Sequence, residues 1–304
     1  MSVLSIIVAL FAEQWRPLDN RRGVHGALSA YAARLEQAFN GGERRHGVVA
    51  WLVAVLPPVI AAAAIHYLLL EVSFVLALGF NIVALYFTLG FRQFSHHFTA
   101  LQLAVKSGDV DRARQLLEEW RGASGVVRTR EEVIRLAIEE ALVASHRHVF
   151  GVLLWYVILP GPSGAILYRL AAFLRHRWKD LGGFGAFAQQ AMHALEWPAV
   201  RLTAAAFAVV GDFEDAVYCW RTQARTWADP NTGVVLAAGA GAMGVRLGMP
   251  VQEVDGLQPR PELGVGDDAD GPFLDTTVGM LWRALVLWVV ILAAASLVAM
   301  IARI

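Results

Sequence analysis

Between Val48 and Phe91 the chain is apolar in two consecutive runs, VVAWLVAVLPPVIAAAAIHYLLL and VSFVLALGFNIVALYFTLGF, separated by Glu71. Each run approaches the roughly 20 apolar residues that carry a helix across a bilayer core. His66, Tyr67, Asn81 and Thr88 are among the few residues that interrupt them, whereas a water-facing helix carries polar residues on every turn. The pattern predicts a transmembrane helical hairpin over 48–91, turning near Glu71. A second clean span is predicted over Met280–Ile301, with Trp282 and Arg283 at one interface and Arg303 at the other.

The rest of the chain divides around these runs. Residues 1–47 hold a short apolar stretch, Met1–Phe11, expected to seat in the membrane without cleavage. Breakers follow at Pro17 and Asp19-Asn20. An amphipathic helix then carries Leu28, Tyr31, Ala32, Leu35 and Phe39 at helical spacing and closes at Gly41-Gly42. Arg21, Arg22, Arg34, Arg44 and Arg45 flank the first span, so the positive-inside rule puts that side in the cytoplasm. Residues 92–148 read as a cytoplasmic helical block. One helix there begins at Asp109, and another at Thr129 with Glu132 completing a capping box.

Residues 149–210 are apolar again but broken at Pro160-Gly161-Pro162, which predicts either one kinked crossing or a re-entrant pair of half-helices. Trp197-Pro198 is expected to open a further helix, with proline at its start. Residues 211–279 combine a helix, a glycine-rich segment and a polar loop over 256–271. Residues 280–304 form the last span. The expected fold class is therefore all-α: a polytopic transmembrane helical protein with cytoplasmic helical hairpins and a re-entrant segment as one option for 149–210.

Composition agrees. The 304 residues are 57% hydrophobic and only 17% charged, below the quarter usual for a soluble domain. Net charge is zero, which argues against nucleic acid as a partner. Membrane lipid is the expected surround, and the cytoplasmic block is the surface expected to meet a protein partner. The single Cys219 excludes an internal disulfide. His96-His97 and His146-x-His148 lack a metal-ligand spacing, so no metal site is expected. Gly239-Ala240-Gly241-Ala242-Met243-Gly244 matches G-x-G-x-x-G without the surrounding β/α units a dinucleotide needs, and close helix packing explains it better.

Several motifs point to one family. Pro230-Asn231-Thr232-Gly233 and Ala237 through Arg246-Leu247-Gly248 look like S-P-N-x-G…A-G-A-L-G-x-R-L-G. Ser107-Gly108-Asp109 with Ala113-Arg114 is similar to G-D-x-x-x-A-R. On these the chain resembles the membrane superfamily that contains the cobalamin-biosynthesis proteins CbiB/CobD and the AmpE protein of the β-lactamase induction locus. For CbiB-type members the resemblance implies joining an aminopropanol unit, or its phosphate, to the propionate of adenosylcobyric acid. It also implies a corrinoid substrate with Mg and ATP.

The acidic motifs of that enzyme are thinned out. E-S-x-x-E-N-x-x-D-G reads Ala137 to His146 here, with one glutamate surviving, and Glu140 is the candidate catalytic residue. N-T-x-D-S becomes Ala171 to Arg175. Paired aspartates become Ala194-Leu195-Glu196-Trp197, while Pro198, Arg201, Leu202 and Thr203 remain. Phe150–Trp155 and Leu195–Leu202 look more like AmpE. The sequence therefore leads to an AmpE-like accessory, regulatory or ligand-binding protein of the inner (plasma) membrane, with the CbiB synthase as the alternative. Ligand binding is expected at Asn231, Arg201, Arg246, Gly241 and Gly244, where the arginines would meet an anionic group.

Overall fold

The computed structural model describes residues 2–15, 21–122, 129–253 and 256–301. The breakers at Pro17 and Asp19-Asn20, and Arg303, lie outside them. Helices dominate, and three helical stretches are long and apolar enough to cross a membrane: Arg44–Val72, Arg130–Ile158 and Gly271–Val298. The first and third leave most of their apolar side chains uncovered, among them Ile60, Leu68, Val286, Val290 and Ile291. Only lipid makes such surfaces stable. The protein is an all-α helical membrane protein, and it divides into two compact units.

The first unit comprises Met1–Gly90 and Gly151–Pro198. It contains α1 (Ser2–Trp15), α2 (Arg21–Phe39), α3 (Arg44–Val72), α4 (Phe74–Thr88), α8 (Gly151–Ile158), α9 (Ser163–Arg177) and most of α10 (Gly182–Val210). The turn between α3 and α4 falls at Ser73, just beyond Glu71; its hydroxyl accepts the Val75 N–H and caps α4. α4 has 15 residues, about 22 Å of helix, so it is shorter than the bilayer core is thick.

Pro57 and Pro58 sit inside α3 without ending it. The carbonyl four residues before Pro57 belongs to Val53, and the Tyr31 hydroxyl on α2 donates to it at 3.1 Å. A neighbouring helix thus satisfies the oxygen that proline leaves bare. The other end of α2 is fixed by Glu36, which accepts from Arg177 at 2.9 Å and from the Trp178 indole at 2.9 Å. His66 and Asn81 hydrogen-bond to one another between α3 and α4, and both are buried. Gly47 lets α3 approach α10 closely, since a Cβ there would lie 2.0 Å from the Phe184 carbonyl.

One sequence expectation is corrected in α10. Proline does not open a helix at 198: α10 runs from Gly182 to Val210 with Pro198 in its interior. The helix begun at Thr129 continues past the block boundary at 148. α7 (Arg130–Ser145) passes through a wide π-turn at His146–Phe150 straight into α8. The chain first breaks after Ile158, at the Pro160-Gly161-Pro162 segment. Apolarity rises gradually along this helix, so no composition step marks an end.

The second unit comprises Phe91–Phe150 and Ala199–Ile304. α5 (Phe91–Lys106) and α6 (Val110–Arg121) meet at Ser107-Gly108, and Asp109 caps α6 by accepting the Arg112 N–H at 2.9 Å. α12 (Pro230–Met243) is buried along almost its whole length against α11 (Phe213–Gln223) and α7. α13 (Gly271–Ile301) starts nine residues before the predicted span, and its first half packs inward through Leu274, Thr277, Met280 and Ala284.

The polar loop expected over 256–271 belongs to a larger strap with short strands. β1 (Val245–Gly248) pairs antiparallel with β4 (Glu262–Leu263) and parallel with β5 (Asp267–Asp268), while β2 (Val251–Glu253) and β3 (Gly256–Gln258) form a hairpin. No period-2 alternation announces strands this short.

Tyr31→Phe should lower unfolding stability in detergent by about 1 kcal/mol, the usual net value of one hydrogen bond. In a Pro57→Ala background, where a backbone N–H is restored, the same change should cost much less.

Candidate functional site

The residues with candidate chemistry converge in the second unit, where the C-terminal end of α7 meets the end of α10 and the start of α12. α12 begins where Asp229 caps it: one carboxylate oxygen accepts the Asn231 N–H at 3.2 Å and the other the Thr232 hydroxyl at 2.8 Å. Pro230 occupies the first helical position, where its missing N–H costs nothing. Asn231 is therefore fixed in a buried turn, 2% exposed.

The π-turn of α7 brings two further groups to this place. Arg147 reaches the Thr232 hydroxyl at 3.5 Å. His146 is buried, with Nδ1 2.9 Å from the Thr203 hydroxyl on α10. That hydroxyl donates to the Ala199 carbonyl at 2.9 Å, so it accepts from His146, and the proton sits on Nδ1. Nε2 is left as a buried acceptor without a hydrogen-bond partner among the described residues. Two turns earlier on α7, half-buried Glu140 lies within electrostatic range of Arg147, Arg121 and Glu139. Glu140, Arg147, Thr232 and Asn231 form a polar series in which Arg147 meets Thr232 directly and acts on Glu140 electrostatically.

Glu139 does different work. It is buried, and its oxygens accept the Gly248 N–H at 2.9 Å and the Arg260 guanidinium. Arg260 in turn lies over the Trp227 ring, 4.7 Å from its centroid. The Gln223 side chain both donates to and accepts from the Gly264 backbone, at 3.2 and 2.6 Å. The strap is held on helices α7 and α11 by these contacts.

The candidates named from sequence separate accordingly. Glu140 and Asn231 belong to the polar series. Arg246 lies on β1, 3.0 Å from Asp268 and 3.8 Å from Glu262, so two carboxylates of the strap already balance its charge. Arg201 is half-buried on α10, two residues before the buried Thr203. Gly241 has a packing reason: a Cβ would stand 2.4 Å from the Asp215 carbonyl of α11. Gly244 ends α12 at φ +66°, a left-handed conformation natural to glycine. His146, Arg147, Asp229 and Thr203 were not singled out as a group; the partners of His146 and Arg147 are 57 and 85 residues away, and no spacing rule connects them.

Known proteins share this chain's sequence along its length. The profile of the family described as CobD/Cbib protein matches residues 9–272. The chain belongs to the CobD/CbiB family. A "Cobalamin biosynthesis protein CobD" of Stutzerimonas stutzeri (strain A1501) is 35% identical over 303 residues, 96% of this chain and 97% of that protein. A protein of the same name from Chromobacterium violaceum is 35% identical over 296 residues, 93% of this chain and 91% of its own. One from Mycobacterium tuberculosis (strain H37Rv) is 42% identical over 101 residues, 33% of this chain and 30% of its own. No solved structure matches the chain. The first two relatives match along nearly the full length, including the stretches read from sequence as AmpE-like, and so favour the cobalamin-biosynthesis alternative over the regulator.

Gly241→Ala should destabilise the protein by about 2 kcal/mol through overpacking against α11, whereas Gly244→Asn should be nearly neutral, both read by thermal unfolding. Cys219 is buried and its thiol is pushed up to about 11, chiefly by burial. It should resist maleimide labelling at pH 7.5 in the folded protein and react fully once denatured.

Proposed function

We propose that this protein is a CbiB-type cobalamin-biosynthesis synthase of the plasma membrane, crossing the bilayer more than once. Its reaction would join an aminopropanol unit, or its phosphate, to the propionate of adenosylcobyric acid. The observation that carries this reading is the match, at 35% identity over nearly the whole of both chains, to a protein named for cobalamin biosynthesis. The polar series at α7 and α12 supports it, because it keeps a carboxylate, a cation and a fixed amide side by side where the family's acidic run is thinned.

In this reading Arg147 and the first turn of α12 orient an anionic part of the substrate, and Asn231 fixes its register by hydrogen bonding. With the propionate activated at the expense of ATP, the amine nitrogen would bond to the carbonyl carbon, Glu140 would take up the proton released, and the activating group would leave with the electron pair of the broken C–O bond. Strap residues 245–268 shield the site from water through the Glu139–Arg260 contact.

The resemblance also implies Mg and ATP, and the donor set does not fit a protein-held magnesium ion. Glu139 is taken by Arg260 and Gly248, Asp229 by the start of α12, and Asp268 and Glu262 by Arg246. Among the described residues no three His, Cys, Asp or Glu side chains converge to hold a metal. No step is therefore assigned to one.

The test is growth. Expressed in a bacterium lacking its cobalamin-arm synthase, the wild-type gene should restore cobalamin-dependent growth, and Asn231→Ala or Glu140→Gln should abolish it with membrane levels unchanged. Failure of the wild type to rescue would return the protein to the accessory role.

A further inference from the structure

α7 carries a half-buried cation, Arg135, whose guanidinium makes no ion pair among the described residues, although Glu131, Glu132 and Glu139 stand one turn away on the same helix. Glu139 is already occupied by Arg260 and the Gly248 N–H. Among the described residues the only hydrogen-bond acceptor that Arg135 meets is the thioether sulfur of Met249, 3.3 Å from Nη1, and its Nε is buried with no partner. A thioether is a weak acceptor for a guanidinium with five N–H donors. Partial burial of a charge with so little in return is costly, and it persists where a ligand supplies the missing charge.

Met249 provides a second observation. It is the one non-glycine residue with positive φ among those described, at 64°, and it follows Gly248 at 77°. A side chain held in that region stores strain. Here the strain holds a flexible apolar side chain over the arginine. Glu139 fixes the backbone just before it, through Gly248, and the Met249 N–H donates to the Pro261 carbonyl at 3.1 Å.

We infer that Arg135 is an anion-recognition residue, covered by Met249 when empty, which takes a phosphate or carboxylate of the substrate through its guanidinium fork. This rests on the preceding reading of the site and adds the group that receives a second anionic part of the substrate, apart from Arg147. A planar fork suits both oxyanions, so the shared chemistry is a negatively charged group with two coplanar oxygens.

The test is thermal unfolding of the detergent-purified full chain, titrated with inorganic phosphate in one arm and propionate in the other, against sodium chloride at matched ionic strength. Binding to the folded state alone raises the midpoint with concentration and yields an apparent Kd. At least one of the two anions should stabilise the wild type beyond chloride, and the arm that responds identifies the oxyanion. Arg135→Gln should weaken that binding at least about tenfold, as expected for a lost charge-assisted hydrogen bond. Met249→Gly, which relaxes the backbone and uncovers the guanidinium, should strengthen it several-fold.

Unchanged affinity in Arg135→Gln would overturn the inference, as would the absence of any stabilisation of the wild type beyond chloride. If Arg135→Gln folds too poorly to titrate, unchanged affinity in Met249→Gly overturns it instead. Growth rescue by the wild type is scored separately. Rescue without an Arg135 effect on anion binding rejects this inference and leaves the synthase reading standing; an Arg135 effect without rescue does the reverse.

Discussion

A carboxylate enclosed by helices is costly unless donors and an opposite charge replace the water it has lost. Glu139 meets that requirement with a backbone N–H from β1 and a guanidinium from the far side of the strap, itself resting on an indole. One side chain of α7 thereby joins two places in the strap that are well separated in sequence, Gly248 and Arg260. The turn bearing Met249 follows directly on the Gly248 contact of that joint.

The second constraint is solvent. Helices α3 and α13 expose apolar side chains on most of their circumference, so lipid completes their packing. Inside such a protein every backbone oxygen freed by proline needs an internal donor, and the Tyr31 hydroxyl supplies one at Val53. The same economy governs the His66–Asn81 pair, where two buried side chains satisfy part of each other's hydrogen bonding.

Much of this was legible in the chain. The long apolar runs at α3 and α13 were legible because length and purity are local properties, whereas the stretch Arg130–Ile158, read up to residue 148 as part of a cytoplasmic block, was not recognised as long and apolar enough to span. Asp109 and Thr129 were readable as caps because capping acts across three residues, and both side chains accept the expected N–H. Pro198 was misread because its neighbourhood looks like a helix start, although α10 is held on both sides of it by packing. The strands of the strap were missed because they are two to four residues long and owe their pairing to contacts with α7 and α11.

The candidate site was half readable. Asn231 and Glu140 stand in motifs that resemble a family; Arg147 reaches Thr232, the neighbour of Asn231, and lies within electrostatic range of Glu140. Glu139, the glutamate beside Glu140, could not be distinguished from it in sequence, since its partners lie 109 and 121 residues downstream. The lost acidic residues weighed toward a regulator, whereas likeness along the whole chain favours a cobalamin-biosynthesis role.

The Glu139 joint is tested most directly by a double-mutant cycle of unfolding free energies for Glu139→Gln and Arg260→Gln. A joint of this kind predicts a coupling energy above about 1.5 kcal/mol, as found for close charge pairs shielded from water. Additivity within about 0.5 kcal/mol, the behaviour of independent sites, would contradict it.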